Sequence, residues 1–364
     1  MLIVLMSLML DPVAAIGDTD VYQPLNLSEV IVRPDGHVYI LNFQEAHITE
    51  FDAEGQKIRQ IGAKGKGPGE FTFPTQFFFS KNRLYVFDVL STEVSIFDRN
   101  GTFERRIKTP DRGMTMRKLQ EGWIYYANQL MQTDEPIRIF WADDNFENPV
   151  ELAEFENPGF QQGMMVMQDD NQMVAKFSPL SADPMLVTSA DGNRAIIVHG
   201  EEPVILPVNQ ARRELGEKIK LDYKRIPFDY DWAEERLAQV KERSAGRFNA
   251  KIQTNFPDYF PAFKECFALP TGGYALNRWA GRPDDIDHPI FVDEKWQETK
   301  CDLSWDALKR ITGYHGDYVW VTTWDSTEEV AGLARVSLKS VNQFVAEHPI
   351  EFDGQAGRSI SISE

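Results

Sequence analysis

The sequence predicts an all-β fold: a six-bladed β-propeller with a helical insertion between blades four and five. Three observations predict it. First, the chain repeats itself: His37-Val38-Tyr39-Ile40-Leu41-Asn42 is answered by Arg83-Leu84-Tyr85-Val86-Phe87-Asp88, and Phe51-Asp52-Ala53-Glu54-Gly55 by Phe97-Asp98-Arg99-Asn100-Gly101, both at an offset of 46 residues (83 − 37). Second, each unit is a series of short β-rich runs parted by turns carrying Asp and Gly. Four short antiparallel strands in roughly 45 residues make a propeller blade. Third, residues 24–350 hold about six such units once the stretch between Leu206 and Pro257, which does not fit the repeat, is set aside. Seven blades is the alternative count.

The elements follow in chain order. Met1–Leu10 is one apolar run, too short to span a bilayer but suited to the core of an export signal, and Val13 and Ala15 are the small residues such a signal needs before its cleavage point. Residues 1–15 are therefore expected to be a signal peptide, with residues 16–364 a single propeller domain in the periplasm or outside the cell. The other reading of 1–15 is an N-terminal strand. Closure of the ring by pairing the two chain ends is expected to use Tyr22–Leu27. Later blades drift. Gly122–Asn128 repeats Gly36–Asn42, Tyr274–Asn277 repeats Tyr39–Asn42, Tyr318–Thr323 is the same strand near the C-terminus, and Met173–Lys176 is the weaker fourth copy. Pro136, Pro184 and Pro289 are each expected to begin a third strand, where proline blocks premature pairing. Residues 206–257 form the partly helical insertion, its helix capped by Asp231 with Glu234 at the capping-box position and a narrow stripe of Ala233, Leu237 and Val240. It reads either as surface decoration or as a lid over one mouth of the channel.

Composition narrows the function classes. The 364 residues carry 38 Lys+Arg against 56 Asp+Glu, a net charge of −18 that repels phosphate backbones and anionic membrane surfaces. No stretch has the length of a membrane span. The two cysteines, Cys266 and Cys301, fall in the expected first and fourth strands of blade five. These lie about 14 Å apart at ~4.8 Å per strand step, too far for a disulfide, so two free and mostly buried thiols are expected.

The stretch Ile61-Gly62-Ala63-Lys64-Gly65-Lys66-Gly67-Pro68-Gly69-Glu70-Phe71, followed by Phe73-Pro74, resembles the hallmark of NHL repeats. Phe256-Pro257-Asp258-Tyr259-Phe260-Pro261 is similar to the bacterial six-bladed propeller family related to them. Physically, Gly62, Gly65, Gly67 and Gly69 would supply positive φ at the crossing between blades, and Phe71 and Phe73 would wedge between them. The spacing is not that of a phosphate-binding P-loop. The resemblance speaks for fold; propellers host many unrelated activities.

Asn42, Asp88, Asn128 and Asn277 occupy one equivalent position at the end of the second strand, with Arg278 and Trp279 following in blade five. In phase, they would ring one mouth of the channel and bind a ligand; alternatively each hydrogen-bonds its own following turn. The six histidines recur at no common blade position. The favoured expectation is a non-enzymatic binding or scaffold propeller, with a protein, a peptide or a small polar ligand at one mouth. The alternative, implied by the resemblance, is a metal-dependent lyase or lactone hydrolase in which Asp88, Asn42 and Asn128 hold Ca2+ or Zn2+.

Overall fold

The computed structural model describes residues 14–16, 30–110, 114–127, 135–156, 163–169, 172–178, 180, 182–189, 192–243, 251–254, 256–269, 273–279, 281–282, 288–299, 301–325 and 330–348. These form a six-bladed β-propeller with three helices. The chain groups into two compact units, residues 1–110 with 301–364, and residues 111–300.

The first unit holds blades one, two and six. Blade one is Val30–Val32, Val38–Asn42, His47–Phe51 and Lys57–Ile61; blade two is Pro74–Ser80, Arg83–Asp88, Glu93–Phe97 and Phe103–Lys108. Each runs antiparallel in simple succession. The second and third strands are apolar without alternation because both faces of a blade are covered: Val38 through Leu41 and Leu84 through Phe87 are all buried. The fourth strands face water and are charged, as edges that must resist further pairing should be. Between the blades, Leu41, Ile48 and Ile61 pack with Phe71, Phe77, Leu84 and Phe97. Burial of each such side chain contributes roughly 1.5–3 kcal/mol.

Blade six is Ile311–His315, Tyr318–Asp325 and Val330–Ser337, and its fourth strand is Ala14–Ile16, paired antiparallel with Leu333–Arg335. The two chain ends therefore close the blade as expected, but through Ala14–Ile16; Tyr22–Leu27 lies outside the described residues. A cut after Ala15 would fall inside this strand. Helix α1 (Trp305–Arg310), capped by Ser304 Oγ on Ala307 N at 3.1 Å, and helix α2 (Val341–Glu347) pack on blade six.

The second unit holds blades three, four and five. Blade three is Met114–Lys118, Trp123–Ala127, Ile137–Ala142 and Val150–Phe155; blade five is Phe263–Ala268, Tyr274–Arg278, His288–Val292 and Glu298–Thr299. Blade four corrects the sequence reading. Its strands are Met185–Thr188, Ala195–Val198 and Val204–Asn209, with Glu214–Leu215 and Ile219–Lys220 both pairing the third. Pro184 thus precedes a first strand. Met173–Lys176 belongs instead to a hairpin, Gly163–Asp169 with Gln172–Ser178, which takes Lys251–Thr254 as a parallel third strand. Residues 206–220 are mostly blade, so the departure from the repeat begins beyond Lys220 rather than at Leu206.

Helix α3 (Tyr230–Arg243) lies in that departure. Its cap is Asp229, not Asp231: Asp229 Oδ1 accepts from Trp232 N at 2.9 Å and Oδ2 from Arg282 at 2.8 Å. Those two partners hold its carboxyl below the ordinary range. Trp232 and Ala233 pack against Phe228, Phe260 and Trp279. Both cysteines are free, as expected, but half-buried, and Cys301 lies beyond the last strand of blade five. Burial pushes the Cys266 thiol well up.

The turn between the third and fourth strands is the fold's recurring device. Asp52, Asp98, Asp143 and Asp293 each accept, through Oδ1, from the backbone N–H two and four residues on, at 2.8 to 3.0 Å. The residue three on has positive φ: Gly55 at 83° and Gly101 at 77°, but Phe146 at 61° and Trp296 at 66°. Arginines of one blade donate into this turn of the next. Arg335 reaches Ala53 O at 2.7 Å, and Arg59 reaches the equivalent Arg99 O at 3.2 Å and Asn100 O at 2.6 Å.

Candidate functional site

The described residues among those inferred for the mouth from sequence have different surroundings. Asn42 Oδ1 accepts from Glu45 N at 2.9 Å, which is the local-turn role. Asn128 lies outside the described residues. Asn277 is fully buried within blade five. The Arg278 guanidinium lies over the Tyr223 ring at 5.2 Å. Trp279 Nε1 donates to Phe263 O at 3.1 Å, and its ring stacks on Phe260 at 5.8 Å. Trp279 thus packs beneath α3.

Asp88 is different. It is 3% exposed, and both carboxylate oxygens are used. Oδ1 accepts from Leu90 N and Ser91 N, each at 3.1 Å, which closes its own turn. Oδ2 accepts from Thr72 N at 2.5 Å and Phe73 N at 3.1 Å, which ties in the crossing from blade one. Four amide donors fill the acceptor capacity of a carboxylate. With Asp88 so engaged and Asn42 Oδ1 taken by its turn, these residues do not fit a Ca2+ or Zn2+ centre. Among the described residues no three His, Cys, Asp or Glu side chains cluster to hold a metal.

Asp88 does line a cavity. It has a volume of about 510 Å3 and lies at the end of blade two, along the outer half of the blade rather than its inner strand. Lys66, Glu70 and Thr72 of the crossing loop form one side; Leu90, Ser91, Glu93, Ser95 and Arg106 form the other. Cavities of roughly 300–1,000 Å3 with a few fixed polar groups are the usual size for small-ligand sites.

Arg106 builds it. Nε donates to Ser95 Oγ at 3.3 Å, Nη1 to Lys66 O at 3.2 Å, and Nη2 to Glu70 O at 2.8 Å and to Gly67 O. Glu93 Oε2 stands 3.7 Å from Nη1, longer than a hydrogen bond. Glu70 Oε2 accepts from Gly67 N at 2.7 Å and lies beneath Gly65, where an added Cβ would come within 2.0 Å of it. Gly62 and Gly69 have the expected positive φ; Gly65 and Gly67 are needed for this close approach instead. Phe71 wedges as expected, fully buried, whereas Phe73 is exposed and lies against Phe43 at 5.4 Å.

Sequence reasoning found Asp88 and the loop but missed Glu93, Ser95 and Arg106. The available signal was a departure from the repeat. At the 46-residue offset, Glu93 and Arg106 correspond to His47 and Gln60, which meet at 3.1 Å in blade one. Blade two puts an ionic pair where blade one has an amide and an imidazole.

Blade one carries its own buried polar group. Glu50, 2% exposed, accepts from Tyr39 Oη at 2.7 Å and from Arg59 Nε at 2.5 Å, and meets His37 Nδ1 at 2.8 Å. Burial alone would raise its carboxyl, but the hydrogen bonds from Arg59, His37 and Tyr39 together hold it below the ordinary range. Burial and the Glu50 carboxylate push the Tyr39 phenol up to about 12. Arg59 continues into the blade-two turn, so this group is a pin between blades.

Residues 25–175 match a protein family described as a 6-bladed beta-propeller. No curated protein matches the chain. Among solved structures, the chain is similar to a Bacteroides fragilis protein described as exported (12% identity, TM-score 0.49, covering 88% of this chain and 93% of that one). It is also similar to regucalcin, a calcium-binding protein of Agrobacterium tumefaciens (11%, 0.42, 90% and 95%). A third is virginiamycin B lyase of Staphylococcus aureus (9%, 0.38, 90% and 89%). Among the described residues, no helix is long and apolar enough to cross a membrane.

Proposed function

We propose that this propeller is a non-enzymatic binding protein that takes a small polar ligand in the blade-two cavity, and that it works in the periplasm or outside the cell. The observation that carries the reading is the cavity of about 510 Å3 whose walls are fixed before any ligand arrives: Asp88 sets one rim through four amides and Arg106 sets the other through four acceptors. Preorganised walls lower the ordering cost of binding. The carboxylate nearest to a catalytic role is spent on backbone, which supports binding rather than turnover. The apolar run Met1–Leu10 supports export.

Calorimetric titration of the full chain with a panel of small polar compounds tests this. Binding to the parent that is lost in the paired Lys66→Met and Glu93→Gln variants, with unchanged far-UV spectra, supports the site. Binding that survives both substitutions, or a tight protein partner with no small ligand, overturns it. Immunodetection in cell fractions tests the location.

A further inference from the structure

Two charges of opposite sign face the cavity without being consumed by its construction. The Lys66 side chain is exposed and has no ion-pair partner among the described residues. Glu93 has only the long 3.7 Å approach to Arg106. Arg106 itself is no clamp for a ligand anion, because four of its five N–H groups are already donated within the wall. Arg106 ties the two sides of the cavity together, donating to the Lys66 backbone carbonyl of the crossing loop and standing 3.7 Å from the Glu93 carboxylate of the blade, so the cavity holds one charge from each side. Beside them the cavity is lined by Leu90, 55% exposed, a large apolar side chain held out toward water. Its placement is not slack. Asp88 fixes the Leu90 amide, and Val89 N donates to Phe73 O at 3.2 Å, setting the exposed Phe73 ring next to the same turn.

We infer that the ligand is a small zwitterion of the amino-acid or dipeptide class with an apolar side chain, its carboxylate on Lys66, its ammonium on Glu93 and its side chain over Leu90. The inference rests on the binding reading above and narrows it. An anion alone would meet Glu93 with like charge, and a cation alone would meet Lys66. A zwitterion satisfies both, and each charge-assisted pair adds to affinity. The cavity volume suits a ligand of this size rather than a long peptide.

The test is calorimetric titration of the full chain with L-leucine, leucyl-leucine, N-acetyl-leucine and leucinamide. The zwitterions should bind, and each blocked form should bind about tenfold or more weakly. Lys66→Met should erase the preference over leucinamide, and Glu93→Gln the preference over N-acetyl-leucine, with thermal unfolding unchanged in both. If a blocked form binds the parent as well as the zwitterions do, the zwitterion inference falls while the cavity reading stands; if binding and its preferences survive both substitutions, both fall. If none of these probes binds but an unrelated polar compound does so in a Lys66- and Glu93-dependent way, the inference again falls alone. If nothing small binds, both fall.

Discussion

The indole of Trp296 lies flat on the phenol ring of Tyr274, centroids 5.5 Å apart and planes within 2°. Phe146 does the same to Trp123 in blade three, at 5.0 Å and 19°. Both occupy the turn position where blades one and two use glycine, in a backbone conformation that costs a side-chain-bearing residue roughly 1–2 kcal/mol. The stack, about 0.5–1.5 kcal/mol beyond area burial, offsets that cost. An ordering follows. Trp296→Ala should destabilise by about 1–2 kcal/mol, because the strain stays and the stack goes. Trp296→Gly should cost less, because the strain goes too. Urea midpoints of the three proteins measure it, and alanine above glycine would refute the account.

Asp88 is the keystone of the crossing between blades one and two. Asparagine is nearly isosteric but presents an NH2 toward two of the four amides. Asp88→Asn should therefore lose about 3 kcal/mol or more of stability, since hydrogen bonds to a charged group contribute ~1.5–3 kcal/mol each. Hydrogen exchange should accelerate at the pair that faces the NH2, Thr72 with Phe73 or Leu90 with Ser91. If neither pair responds, the carboxylate does not hold these amides.

Acid should weaken the blade-one pin. Glu50 has a depressed folded pKa, so its stabilisation is complete above the unfolded value of about 4.3 and is lost as pH falls through the folded value. Glu50→Gln should flatten that acid limb. At neutral pH it should cost about 1–3 kcal/mol, because Arg59, His37 and Tyr39 lose a charged acceptor while the half-exposed Arg59 keeps its bonds to the blade-two turn. Tyr39 acts at the other end: its raised pKa, about 12, favours folding below pH 10 and withdraws that support as the pH rises from about 10 to 12. Stability against pH for parent, Glu50→Gln and Tyr39→Phe decides both limbs.

The strand Ala14–Ile16 covers the edge of Leu333–Arg335. A protein beginning at Ile16 would leave two of its three residues behind. Such a truncated protein should melt at lower temperature, with faster amide exchange confined to Leu333–Arg335. Unchanged exchange there would show that Ala14–Ile16 does not seal the blade. Mass analysis of the secreted or cellular protein shows which form occurs.

Blades one and two were legible in the sequence because their turns dictate residue identity: Asp52 and Asp98 must accept from two amides, and Gly55 and Gly101 must adopt positive φ. Blade four was misphased for a physical reason. Its second strand, Ala195–Val198, is buried on both faces and ends in His199 rather than Asn or Asp, although His199 Nδ1 accepts from Glu201 N and Glu202 N as Asp88 does from its own turn, whereas the hairpin at 163–178 has the right spacing without being part of a blade. The helix was visible from its stripe, but its cap was placed two residues late because Asp229 and Asp231 are equivalent by composition. The cavity escaped because its walls depend on Arg106 of the fourth strand, which repeat logic treats as solvated edge, and on Glu93 at the start of the third, where the repeat carries no common residue. Asp88 was found because it sits at a marked strand end, though its main task is to hold two segments together.

Two arginines that reach across blades, Arg335 and Arg59, donate to main-chain oxygens of the next turn, whereas Arg194 meets the Glu294 carboxylate at 3.2 Å. Arg335 to Ala53 and Arg59 to Arg99 and Asn100 make the same grip one lap apart. A carbonyl is present whatever residue bears it, so the gripped turn is free to mutate while the grip persists. Such a molecule can hold adjacent laps in register through long divergence, and a survey of its descendants should find the arginines outlasting the residues they touch.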